Sequence, residues 1–87
     1  MKVKKLTRNF RGYNLYKYCV EFTHKDGNKF CQQRNWCWEQ WGPSSEIQFC
    51  EKSDNPNKKW CWIMDQHRIR IYLATNAEAS WYSLKWA

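Results

Sequence analysis

The sequence predicts an α+β protein, an antiparallel sheet of about four to five strands with two short helices packed on one face. Three observations lead there. The segments KWCWIM (59–64) and RIRIYL (68–73) alternate apolar and other residues with the period of two that a strand requires. Turn residues separate the periodic runs, as in SDNPNK (53–58). Finally, Thr75-Asn-Ala-Glu78 has the form of a capping box, a helix start placed directly after a strand.

Taken in order, YNLYKYCVEFT (13–23) is rich in aromatic and β-branched residues, and Tyr16, Tyr18, Val20 and Phe22 alternate onto one face of a strand. Asp26-Gly27 is a dipeptide favoured where a hairpin needs positive φ, which places a second strand near residues 29–33. Asn35 as N-cap, Gly42 at C′ and Pro43 beyond it bracket a helix of about two turns. On that helix Cys37, Trp38 and Trp41 share a face, expected against the sheet. SSEIQFCEK (44–52) reads as a strand with Ile47 and Phe49 alternating. In KWCWIM, Trp60, Trp62 and Met64 point one way and Cys61 and Ile63 the other. In RIRIYL, Ile69, Ile71 and Leu73 oppose Arg68, Arg70 and Tyr72. The helix after Thr75 carries Ala77, Trp81 and Leu84 at i, i+4 and i+7, an expected core-facing stripe.

Eighty-seven residues make a single domain, 1–87, that buries roughly 60–65% of the surface its unfolded chain exposes. Seven Trp, five Tyr and four Phe compensate for the short chain with bulky apolar surface. The charge is uneven. Of the net +7, residues 1–18 hold six cations and no acid, while residues 19–87 hold nine cations against eight acids. Residues 1–12 therefore read as a basic N-terminal arm or a first strand. No apolar run approaches the ~18 residues of a membrane span, and MKVKKLTRNF lacks the apolar segment of a signal peptide, so a cytoplasmic protein with no membrane association is expected. Five cysteines, an odd number at irregular spacing, suit buried reduced thiols better than a disulfide framework. Cys37 and Cys61, the centres of two Trp-Cys-Trp tripeptides, are expected to be core thiols without a mutual bridge.

Chemistry-bearing patterns are sparse. No cysteine pair is closer than Cys31 and Cys37, wider than structural zinc spacing, so no metal is expected. His24 and His67 fall in loops, the acids are scattered, and the three glycines form no phosphate loop. The expectation is a non-enzymatic protein with no catalytic residues and no cofactor. Two binding readings remain open. A basic segment supplies phosphate contacts and exposed aromatics supply stacking platforms for single-stranded DNA or RNA. The candidate contacts are Lys2, Lys4, Lys5, Arg8, Arg11, Tyr13 and Lys17, joined by Arg68, Arg70 and Tyr72 if their strand face is open. Alternatively, sixteen aromatics exceed what so small a globule encloses, and the surplus Trp, Tyr and Arg match the composition of protein-interface hot spots.

The combination of NWCWEQWGPSSE, KWCW and RIRIYLATNAEASWYSLKW resembles small proteins encoded by T4-like tailed phages of marine bacteria, cyanophages especially. The resemblance covers about residues 35–87. It implies a virus-encoded accessory protein in the cytoplasm of the infected cell, and by analogy with such proteins the expected partner is a host or phage protein or single-stranded nucleic acid. That family carries no assigned activity, so no functional residue transfers from it.

Overall fold

A computed structural model describes residues 3–10 and 13–86. Eight elements follow one another: β1 (Val3–Lys5), β2 (Tyr18–Phe22), a 3-10 turn (His24–Asp26), α1 (Gly27–Trp41), α2 (Ile47–Lys52), β3 (Trp60–Met64), β4 (Ile69–Leu73) and α3 (Asn76–Trp86). The four strands form one sheet in the order β1-β2-β4-β3, every neighbouring pair antiparallel. The α+β class, the antiparallel sheet and two helices on one face all stand. A third helix, α2, lies against the other face.

The alternation predicted for β3 and β4 is what divides the two faces. Register aligns Val20, Ile71 and Trp62 across three strands, and on the opposite face Cys19, Tyr72 and Cys61. The first row belongs to a core shared with Phe30 and Cys37 of α1 and Ala79 and Tyr82 of α3. The second belongs to a core closed by Leu6 and Tyr16 from the loop before β2 and by Ile47 and Cys50 of α2. Because both faces are covered, the Arg68-Arg70-Tyr72 face, a candidate contact surface only if open, is largely closed: Tyr72 is completely buried, and Arg68 and Arg70 stay part-exposed.

Several local expectations fail, each for a visible reason. No hairpin forms at Asp26-Gly27. Gly27 has φ −54° and ψ −40°, ordinary right-handed geometry, and Asp26 instead precedes the first residue of α1. The helix runs from Gly27 because Phe30, Gln33 and Cys37 are all inward at helical spacing, which merges the supposed strand 29–33 with the supposed two-turn helix. Its end is as expected. Gly42, at φ +88°, donates its N–H to the carbonyl of Trp38 at 2.9 Å. Within SSEIQFCEK, Ile47–Lys52 form a short helix, since Ile47 and Cys50, three apart, are the residues that reach the core; Glu46 before it bridges to Trp62 of β3. The strand expected within residues 13–23 is β2, which begins only at Tyr18, and Tyr16 packs in the opposite core from Val20 and Phe22 because the chain turns between them.

Helix α3 starts as predicted. Thr75 N–H and Oγ1–H both donate to Glu78 Oε1, at 3.0 and 2.7 Å, and Ala77 N–H returns to Thr75 Oγ1 at 3.3 Å. Its buried stripe differs from the predicted one. Ala79, Tyr82 and Trp86 face the core, while Ala77, Trp81 and Leu84 face outward. The reason is polar: the Tyr82 hydroxyl donates to Oε1 of the buried Gln33, a pairing that ties α3 to α1 and satisfies both groups.

Asn57, in the loop before β3, ties the architecture at one end. Its Nδ2 donates to the carbonyls of Trp41, Gly42 and Pro43 at 3.0, 3.4 and 3.0 Å. Its Oδ1 accepts from the N–H groups of Lys59 and Trp60 at 2.8 and 3.2 Å. Helix α1 is thereby held to the first residue of β3, and the buried Trp60 reinforces the tie by donating Nε1–H to Gly42 O at 2.9 Å.

Candidate interaction surface

The sixteen aromatics sort into an interlocked interior and a few outward rings. Trp36 sits at the centre of the interlocked set, edge-to-face with Trp41, Tyr82 and Trp86 at centroid distances of 5.4, 6.0 and 6.1 Å. This reverses the expectation for the first Trp-Cys-Trp. Cys37 is buried as predicted, Trp36 turns inward, and Trp38 is 47% exposed. In the second tripeptide Trp60 and Cys61 are buried and Trp62 is half-buried. Cys37 and Cys61 lie in the two different cores on opposite faces of the sheet, and all five cysteines are free.

The outward surface centres on α3, where Trp81 is 52% exposed and Leu84 80%. Their position is defined on both sides. Between α1 and α3, a cleft of about 250 Å³ is lined by Trp36, Gln40, Trp81, Leu84 and Lys85, and Trp81 is oriented by donating Nε1–H to Gln40 Oε1 at 3.1 Å. Between α3 and the edge strand β1, a groove of about 570 Å³ is lined by Val3, Lys5, Tyr18, Asn76, Ser80, Ser83 and Leu84, among others. Leu84 thus forms a ridge between two depressions, with a lysine beside each. The surface is therefore an apolar ridge carrying an indole, rimmed by cations.

Within the basic segment, Val3–Lys5 form the edge strand β1. Lys5 lines the groove beside α3. Lys4 pairs with Glu21 at 3.3 Å and lies over the Phe10 ring. Arg70 meets the same Glu21 at 3.3 Å and donates to the Tyr72 hydroxyl at 3.4 Å. Lys17 donates to the Tyr13 carbonyl and covers the Tyr13 ring. Arg68 pairs with Asp65 at 3.6 Å in the β3–β4 turn. Arg8 is exposed. Lys2 and Arg11 lie outside the described residues. The structure therefore gathers Lys4, Tyr13, Lys17, Arg70 and Tyr72 around the second core, and places Lys5 alone at the α3 surface. Sequence reasoning missed Trp81 and Leu84 as surface residues because they fit a core stripe.

A cluster of titratable groups lies in the second core. The thiol of Cys61 and the hydroxyls of Ser45 and Ser44, the latter at 3.5 and 3.6 Å, hold Cys50 well below the ordinary thiol value. Burial pushes Cys61 and Tyr16 up, and the Tyr16 hydroxyl donates to the Asn57 carbonyl at 2.6 Å. Cys50 is 2% exposed and Cys61 and Tyr16 are fully buried, while Ser45 at the edge of the cluster is exposed. Among the described residues no group of three or more His, Cys, Asp or Glu is arranged to hold a metal.

Fold and surface together define a small α+β domain with a covered sheet and one aromatic, cation-rimmed helical face. No family model matches the sequence, and neither a curated protein nor a solved structure matches it. Among the described residues no helix is long and apolar enough to cross a membrane.

Proposed function

We propose that the protein acts by binding and not by catalysis, recognising a partner protein through the Trp81–Leu84 ridge of α3 and its flanking clefts. The observation that carries this reading is that two large apolar side chains, 52% and 80% exposed, stand between two depressions on a helix whose other face is locked in the core. Lys5 and Lys85 at the margins, on a chain of net +7, suit a partner segment that combines apolar anchors with acidic residues. In keeping with the sequence resemblance, the proposed setting is the cytoplasm of a phage-infected cell, with a host or phage protein as the partner. The rival reading, single-stranded nucleic acid held by the basic segment, has less support, because Lys4, Lys17 and Arg70 are engaged internally and the Tyr72 ring is buried.

The test uses Trp81→Ala and Leu84→Glu in the full chain. Nuclease-treated lysate of infected host cells supplies the candidate partner, which is then purified and titrated calorimetrically. Each variant should weaken binding at least thirtyfold, the size of a hot-spot loss of about 2 kcal/mol, with an unchanged circular dichroism spectrum. Full retention of affinity by both variants, or binding abolished by nuclease alone, ends this reading.

A further inference from the structure

Helix α1 has a second flank, independent of the α3 surface. On it Arg34, Asn35, Trp38 and Glu39 of α1, together with Trp62 of β3, line a cleft of about 530 Å³. That volume lies within the roughly 300–1,000 Å³ of small-molecule sites. Its lining is not that of an apolar packing defect. It carries two indoles, a guanidinium, an amide and a carboxylate.

We propose that this cleft binds a guanine base, presented by a free nucleotide or by single-stranded nucleic acid. Three observations support this. First, Trp38 is 47% exposed and, among the described residues, no ring or cation lies against its indole. An unstacked indole at the mouth of a cleft is a platform for a planar base. Second, Trp62 is held in place by the Arg34 guanidinium, 4.9 Å from its ring centroid, which stiffens the cleft and leaves a cation beside it for a phosphate. The Trp62 Nε1–H is itself buried without a hydrogen-bond partner, so it is the ring of Trp62 and not its N–H that lines the cleft. Third, Asn35 and Glu39 stand one helical turn apart, and neither has a hydrogen-bond or ion-pair partner among the described residues, although Arg34 lines the same cleft.

The carboxylate selects the base. Guanine offers two donors side by side on its Watson–Crick edge, N1–H and the exocyclic amine, which match the two oxygens of Glu39 in a charge-assisted pair. Adenine and cytosine place an acceptor where one of those donors must be, and uracil flanks its single donor with two carbonyls. The cleft therefore discriminates by chemistry and not only by stacking.

The experiment titrates the full chain at low salt with GMP, AMP, CMP and UMP, following the indole N–H resonances of Trp38 and Trp62 by heteronuclear NMR and affinity by calorimetry. GMP should bind at least tenfold more tightly than AMP and shift both resonances. Trp38→Ala should weaken GMP by about tenfold, within the range that loss of one stacking ring produces. Glu39→Gln should bring GMP and AMP to within about threefold of each other. Both residues project from the surface of α1, so unchanged circular dichroism separates lost binding from lost fold. The source of the base is read by comparing GMP with guanine-bearing and thymine-only oligonucleotides over a salt series. Tighter, salt-sensitive binding of the guanine-bearing strand assigns a polymer, and parity with GMP assigns a free nucleotide. GMP within threefold of AMP on the wild-type protein, or GMP affinity unmoved by both substitutions, overturns the proposal. Failure here leaves the α3 partner titration untouched, since the two surfaces share no residue.

Discussion

Removing the side chain of Asn57 should destabilise the protein by about 3 kcal/mol. The figure follows from its bonds. Nδ2 has two protons for three carbonyls, so the bonds to Trp41 O and Pro43 O, each 3.0 Å, are the strong pair, with Gly42 O at 3.4 Å sharing. Oδ1 adds the bonds from Lys59 and Trp60 N–H. Of these four, the contacts with Pro43 and Lys59 are exposed and water replaces them, whereas those with Trp41 and Trp60 are partly buried. At a net of about 1 kcal/mol per bond, with the exposed pair at half value, Asn57→Ala loses about 3 kcal/mol. For a domain of this size that lowers Tm by roughly 12–24 °C. The Tyr16 bond to the Asn57 carbonyl survives, because it uses main chain. Asn57→Asp is the sharper variant. It keeps an acceptor for Lys59 and Trp60 but turns a carboxylate oxygen toward the carbonyls of Trp41 and Pro43, so at neutral pH it should cost at least as much as alanine. Urea unfolding followed by tryptophan fluorescence, with an unchanged m-value, measures both. A loss below about 1 kcal/mol for the alanine variant, or wild-type stability for the aspartate variant, refutes the idea that this side chain clasps α1 to β3.

Four further outcomes are expected. Thr75→Ala removes an acceptor for Ala77 N–H and a donor to Glu78, and should cost about 1 kcal/mol in urea unfolding. Tyr82→Phe leaves the buried Gln33 amide without its partner and should cost about 1–3 kcal/mol, more than an exposed tyrosine loses. The Asp65 carboxylate accepts from His67 and Arg68 N–H at 2.8 and 2.6 Å, which holds it below its ordinary value of 3.8. Its stabilisation is therefore present above that pH and lost as pH falls through the lower folded value, so wild type and Asp65→Asn should differ in urea midpoint near pH 5 and converge in strong acid. Of the five thiols, only the half-buried Cys31 should react promptly with a disulfide reagent in native buffer, the other four reacting on unfolding, and no disulfide-linked peptide should appear by mass spectrometry.

Strands β3 and β4 were legible because a strand shows its pattern locally: each neighbour alternates, and Trp60, Cys61, Ile63, Ile69, Ile71 and Tyr72 went to the faces their parity assigned. The capping box and Gly42 were legible for the same reason, since each cap is closed by residues three or four apart. Helix α1 was not, because its inward row of Phe30, Gln33 and Cys37 includes an amide whose partner, Tyr82, lies 49 residues away. Sequence periodicity counts Gln33 as polar and breaks the row there. The six residues of α2 are too few to separate a helical from an alternating pattern, as Ile47 serves either one.

The proposed interaction surface was illegible through the same long-range bond. Around α3 two apolar stripes compete, Ala77-Trp81-Leu84 and Ala79-Tyr82-Trp86, and local pattern cannot choose between them. Tyr82 decides, because only with its hydroxyl on Gln33 are both buried polar groups satisfied, and Trp86 then joins the edge-to-face set around Trp36. Packing has no further use for the losing stripe, yet its residues are Trp and Leu, at a position where a charged side chain suits solvent better. Single exposed apolar residues are ordinary, as Phe49 and Met64 are here. Trp81 and Leu84 differ in sharing a ridge with a cleft on each side, and in the Gln40 bond that fixes one of the rings. The proposed partner contact gives a use to side chains that the interior does not need, one of them held in a single orientation at the surface.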